Sequence, residues 1–174
     1  MVKYIFVGKA ASGKDWCQKL MVDKGFKPLK QFTTRPKRPN ESGNEYHFVS
    51  KKTIEKMRED NKFVSLKNFK GWWYGLTLDE LKKSDVGILS VGNICDLNNW
   101  YPDLLKFTTI VYLDIPIEVR RKRLKTRYSG GNQDDSVERR IEADEKDFEN
   151  FNCFDIRFTH GDDVIRFINK IIQH

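Results

Sequence analysis

The sequence predicts an α/β fold built on a mainly parallel sheet flanked by helices, and three observations predict it. Short apolar runs alternate with helical patterns along most of the chain. A glycine-containing turn, Gly8 to Asp15, separates the first apolar run from the first amphipathic stretch. The middle third breaks the alternation with closely spaced extended segments, which reads as a small, mainly β insertion.

Each element follows from local pattern. Val2 to Val7 is a buried strand bounded by Gly8. Trp16, Cys17, Leu20 and Met21 share one face of a helix over residues 14–24, which Gly25 stops. Phe26 to Phe32 is a short extended stretch. Tyr46 to Ser50 alternates like a strand, and Lys51 to Asp60 forms a short charged helix. Phe63 to Phe69 and Trp72 to Thr77 pair as strands around a turn at Lys70-Gly71. Beyond the insertion, Val86 to Val91 is a buried strand, a short helix runs to about Trp100, and Phe107 to Asp114 is the next strand. Ile115-Pro116 opens a long basic helix to about Arg127. Tyr128 to Asp134 (YSGGNQD) carries adjacent glycines and reads as a loop. A helix over about Asp135 to Glu149, a strand over Phe154 to Thr159 and a helix over Val164 to Ile172 complete the order.

Composition bounds the possibilities. The 174 residues make one compact domain, 39% of them hydrophobic, with no low-complexity linker and no internal repeat. No run approaches the ~18 apolar residues of a membrane span, and the first apolar stretch is too short for a signal peptide. A cytoplasmic location with no membrane partner is expected. Cys17, Cys95 and Cys153 are odd in number and far apart, so neither a disulfide framework nor a zinc site is indicated. The 32 Lys and Arg against 25 Asp and Glu leave a net charge of +7, which favours an anionic partner.

The turn GKAASGKD matches G-x-x-x-x-G-K, with Gly8, Gly13 and Lys14 in place. Its glycines let the backbone N–H groups of Ala11, Ser12 and Gly13 curl around a phosphate, and the helix that follows adds its positive end. Lys14 then reaches the β- and γ-phosphates of a nucleoside triphosphate. Where the motif expects a hydroxyl to ligate Mg²⁺, this chain has Asp15. A carboxylate also ligates Mg²⁺, but at ~5 Å and an effective dielectric of ~20 it repels a phosphate by about 3 kcal/mol unless the metal cancels it.

A second basic segment, TTRPKRP, follows at Thr33 to Pro39. Pro36 and Pro39 hold it extended, so Arg35 and Arg38 share a side and present two guanidinium forks to one anion. Tyr46 stands close behind with a hydroxyl for a further contact. In the basic helix, Arg120, Arg123 and Arg127 lie along one face, and Arg139 and Arg140 follow the glycine loop. Arg120, Lys122 and Arg139 read as a solvated helix face.

Together GKAASGKD, TTRPKRPNESGNEYHFVS, WWYG, RLKTR, VERRI and FDIRFTHGDD resemble the guanylate kinase family, in its order and over nearly the whole chain. The resemblance implies a P-loop NTPase-type core at about 1–32, 78–120 and 141–174. It also implies a mixed β nucleotide-monophosphate-binding lobe at about 33–77 and a lid at about 121–140. It implies transfer of the ATP γ-phosphoryl group to GMP or dGMP with Mg²⁺. Arg35, Arg38, Tyr46 and Tyr74 would grip the acceptor phosphate, Gly8 to Asp15 would hold ATP, and Lys14, Arg123, Arg127 and Arg140 would carry the transfer.

The pattern breaks where the family reads guanine. The glutamate expected in F-x-E is Ser65, the hydroxyl residue after Tyr-Gly is Leu76 with Thr77 following, and D-x-D appears as Ser90-Val91-Gly92. Asn68, Asn93 or Asp96 are candidates to read the base from shifted positions, since an amide suits more than one base. Three readings result: a (d)GMP kinase, a kinase for a different or modified nucleoside monophosphate, and a non-catalytic module that binds a phosphorylated ligand. Small-molecule nucleotides are the expected partners for a monomer or homodimer, and nucleic acid is disfavoured because Trp72-Trp73-Tyr74 fits within a strand.

Overall fold

The computed structural model describes residues 1–39, 41–43, 45–127 and 134–173, without the side chains of 127 and 134–136. Four parallel strands make the first sheet, in the order β6 (Val86–Ile88), β1 (Tyr4–Gly8), β7 (Thr109–Leu113), β8 (Ile156–Phe158). Alternate residues of β1 go to opposite faces, as a strand's period of two requires. Ile5 and Val7 join Ile94 and Leu97 of helix α4 (Val91–Trp100), while Phe6 joins Cys17 and Met21 of α1 (Lys14–Val22) and Val164 and Ile168 of α7 (Gly161–Ile172). A parallel sheet buried on both faces reads as continuous apolar runs, which is why the strand signal was strong.

The second sheet is mixed, in the order β3 (Tyr46–Phe48), β2 (Gln31–Thr33), β5 (Trp72–Thr77), β4 (Phe63–Phe69). It takes in β2 from Gln31, just ahead of the lobe boundary expected near 33. Lys70 and Gly71 join β4 to β5 with φ of +52° and +82°. Two left-handed residues in a two-residue turn match the right-handed twist of a hairpin. Helix α2 (Lys51–Glu59) starts at Ser50, whose hydroxyl accepts from Thr53 N at 3.1 Å.

One helix goes unanticipated. Residues Leu78–Lys83 form α3, capped by Thr77 and held by buried Glu80, which His47 and Lys83 each approach at 2.6 Å. Thr77-Leu-Asp-Glu80 is an N-terminal capping sequence, so a signal was present. Thr77 thereby serves as the cap of α3, its hydroxyl accepting from Glu80 N at 3.3 Å.

Helices α5 (Ile117–Arg127) and α6 (Asp134–Phe148) flank residues 128–133, where the glycine loop was expected; that segment lies outside the described residues. The two helices meet through Leu124, Val137 and Ile141, and Ala10 and Ala11 pack against the same cluster. Among the described residues no helix is long and apolar enough to cross a membrane.

Candidate active site

The turn after β1 opens at the carboxyl edge of the parallel sheet, where ligands of open α/β sheets bind. Gly8 lies so close to β7 that a Cβ there would stand 2.7 Å from Leu113 O. Ala11 and Gly13 take positive φ, +59° and +103°, and Gly13 is the N-cap of α1. Left-handed and right-handed residues in succession turn consecutive N–H groups inward to form an anion nest. An alanine held left-handed is strained, as segments shaped for a ligand often are.

Lys14 closes the nest. Its ammonium donates to Gly8 O at 2.6 Å and Lys9 O at 2.9 Å, with Ser12 Oγ at 3.5 Å. Burial lowers its pKa to about 8, Asp15 and Asp144 oppose that shift, and Arg140 and Arg120 add to it. A phosphate binds the ammonium, not the amine. Affinity for a nucleoside triphosphate is therefore expected to fall as pH rises above 8, by about 10-fold between pH 7 and pH 9, with one proton taken up on binding at the higher pH. Calorimetry in two buffers of different ionisation enthalpy measures both, and an affinity flat across this range would contradict it.

Arg123 braces the loop from α5, donating to Ala11 O at 3.0 Å and Ser12 O at 3.3 Å. Arg140, on α6, stands close enough for its charge to act on Lys14. The fourth expected cation, Arg127, ends α5, and its side chain lies outside the described residues. Arg120 departs from expectation: it is 1% exposed and paired with acids of α6, not part of a solvated face. A helix-face reading missed it because periodicity locates a face and not what packs on it.

The acceptor side is built on one face of the second sheet. Cross-strand register pairs Thr33 with Phe48 and Tyr74, and Tyr74 with Lys67, so these side chains share a face. Tyr46 and Tyr74 meet edge to face at 6.0 Å, and the Arg35 guanidinium lies 5.4 Å from the Tyr46 ring and 5.6 Å from that of Phe48. Arg35 donates to Glu41 Oε1 at 2.7 Å and Oε2 at 3.1 Å; Arg38 N donates to Oε2 at 2.8 Å, and its guanidinium stands 4.0 Å from Oε1. Both arginines converge on one anion, here a carboxylate. Burial, then Tyr74, holds the Tyr46 phenol above its ordinary range, and Asp15 from the phosphate loop adds to that shift.

The residues proposed to read a base separate into two groups. Ser65 is buried; its hydroxyl donates to Asp96 Oδ2 at 2.7 Å and accepts from Asn93 Nδ2 at 2.9 Å. Lys67 donates to Asp96 Oδ1 at 2.8 Å, and a Cβ on Gly92 would stand 3.5 Å from Lys67 Cε. Ser65, Lys67, Gly92, Asn93 and Asp96 thus form one cluster, beside a cavity of about 450 Å³ that Ser65 and Asp96 line. Lys67 was not singled out from the sequence, although its alternation with Ser65 put it on the same face. Asn68 does not join them. It points to the other face of β4, accepts from Gly71 N at 3.2 Å and lines an adjoining cavity of about 610 Å³ with Ile54 and Trp73. Leu76 is fully buried in the core cluster, so its side chain is closed to a base.

Mg²⁺ commonly takes one or two carboxylates and completes its shell with substrate phosphates and water. Asp15 fits that role: it is exposed in the first turn of α1 and makes no hydrogen bond or ion pair among the described residues. No group of three or more His, Cys, Asp or Glu gathers to hold a metal without a substrate among the described residues. Ser90 is spent on the cap of α4, exchanging hydrogen bonds with Asn93.

Comparison with known proteins gives a family and a fold. A family model described as Guanylate kinase matches residues 1–173. The guanylate kinase of Bartonella henselae is 34% identical over 91 residues, a stretch that is 51% of this chain and 39% of that protein. The guanylate kinase of Thiobacillus denitrificans is 28% identical over 172 residues, 92% of this chain and 79% of that protein. The crystal structure of guanylate kinase from Anaplasma phagocytophilum superposes with a TM-score of 0.68 at 13% identity, covering 99% of this chain and 82% of that one, which is a likeness of fold.

Proposed function

The chain belongs to the guanylate kinase family, matched over residues 1–173, and from that premise we propose that it transfers the γ-phosphoryl group of ATP to a nucleoside monophosphate, (d)GMP by default, in the cytoplasm. The observation that carries this reading is the left-handed nest at Ala11 and Gly13, in which Gly8 O and Lys9 O hold the Lys14 ammonium at 2.6 and 2.9 Å.

Phosphoryl transfer leaves little covalent work to a protein; it needs two phosphates held in line and charge placed around the oxygens between them. The nest and Lys14 hold the donor, with Arg123 fixing the loop that presents their N–H groups. Arg35 and Arg38 hold the acceptor phosphate, aligned in its absence by Glu41, while Tyr46 and Tyr74 wall its place. Arg140, with Arg127 from the other helix, stabilises the charge that spreads during transfer and excludes water. Asp15 would hold Mg²⁺ together with the nucleotide phosphates, and the ion would supply neutralisation of phosphate charge.

A second reading concerns the acceptor. No free carboxylate faces the base position from Ser65 or Gly92, and a lysine, Lys67, stands beside them. Guanine offers N1–H and N2–H₂ donors, which carboxylates satisfy and an ammonium does not. A site that lacks the partner a substrate needs discriminates against it by up to ~10⁴–10⁵. An acceptor other than (d)GMP, different or modified, follows from that mismatch. An ADP-release assay with ATP, Mg²⁺ and a panel of ribo- and deoxynucleoside monophosphates tests both readings. Turnover of at least one acceptor is expected, and Ser65→Glu should raise turnover of GMP if another acceptor is preferred. Monophosphate binding without turnover of any acceptor would overturn the kinase and leave the binding module.

A further inference from the structure

Beyond the groups assigned above, the phosphate loop is tied to α5 and α6 by a buried charge cluster. Arg120 Nε donates to Ile115 O at 2.9 Å and Nη2 to Glu145 Oε1 at 2.5 Å, while Nη1 is enclosed with no hydrogen-bond acceptor. An acid stands just short of it, Asp144 Oδ2 at 3.9 Å. That oxygen instead accepts from Ala10 N of the phosphate loop at 2.6 Å. Glu145 Oε2 completes the cluster by accepting from Lys9 Nζ at 2.5 Å.

We infer that Asp144 is a positioning residue for phosphoryl transfer: it occupies the Ala10 N–H while the loop is free of nucleotide, and exchanges it for Arg120 Nη1 when a triphosphate binds. The inference rests on the reading of the loop as the ATP site. A carboxylate oxygen and a phosphate oxygen compete for the same loop, and two anions so close repel. Release costs Asp144 little, because a buried charged N–H that lacks an acceptor stands within a small side-chain rotation. The exchange moves more than one side chain. Arg140 lies one helical turn before Asp144 on the same face of α6, and Ile141 of that turn packs with Ala10 and Ala11 of the loop. Occupation of the loop thus adds a charged bond between α6 and α5, which already pack through Leu124, Val137 and Ile141, and holds Arg140 beside the transferred group.

Asp144→Asn and Asp144→Ala in the full chain test this by calorimetry with ATP at pH 7, alongside kcat and KM. The expected result is a split: ATP binds about 5-fold tighter or more, and kcat falls, because the competing charge is gone but Arg140 is no longer held in place. A structural role alone would not give tighter ATP binding together with slower turnover. ATP affinity unchanged or weaker in both variants, with the wild-type protein binding ATP, overturns the inference. A wild-type protein that binds no ATP overturns the ATP-site reading itself.

Discussion

Replacing Lys14 with methionine is expected to lower kcat by about 10²- to 10³-fold, the loss typical of one preorganised charge at a developing oxyanion. The ammonium is fixed at the centre of the nest by Gly8 O and Lys9 O, 2.6 and 2.9 Å away, so it is already in position and needs no reorganisation during the reaction. Methionine keeps the length and the apolar stem while removing the charge and its donors. The fold should survive, because burial makes a charged lysine here costly and its pKa already sits near 8. Single-turnover kinetics under saturating ATP separates this from weaker binding. A variant within about 3-fold of the wild type would show that Lys14 holds nucleotide without stabilising the transfer.

Arg35→Lys is expected to raise the acceptor KM by about 10²-fold with a smaller change in kcat. Arg35 makes two bonds to Glu41, one to Pro36 O at 2.7 Å, and lies between two aromatic rings. Lysine keeps one charge, so Glu41 is not left unpaired, but it cannot form the fork. A charged hydrogen bond contributes about 1.5–3 kcal/mol, and losing one arm of the fork to a phosphate converts to roughly 10–10² in affinity, with lost ring stacking added. Burial raises the Glu41 carboxyl, but Arg35 and the Arg38 N–H more than reverse this, so the carboxylate stays charged and keeps the fork aligned. Acceptor titration at saturating ATP reads the result. An unchanged acceptor KM would remove Arg35 from the acceptor site.

Much of the fold and part of the site were legible before any coordinates. β4 and β5 run over the residues expected, because two runs rich in aromatic and aliphatic residues flank a Lys-Gly turn, although their pairing shifts register between Phe63 and Ser65. The phosphate loop was legible because its chemistry is local: glycine spacing and one lysine act within a single turn. Helix α3 escaped notice because six residues carry too little periodicity, even though its cap was written in the sequence.

What the sequence by itself determined was the alternation of strands and helices, the nest at Gly8 to Lys14, and the basic and aromatic residues proposed to hold phosphate. All of these depend on spacing within one segment. Only the tertiary structure decided which residues meet across segments. It showed Ser65 bound to Asp96 and Asn93, Asn68 turned to the opposite face, and Arg120 buried against Asp144 and Glu145 instead of solvated. The reason is physical: a charge on a helix is solvated or buried according to what packs over it, and residues 24 or 25 positions away along the chain leave no periodic trace in the helix itself.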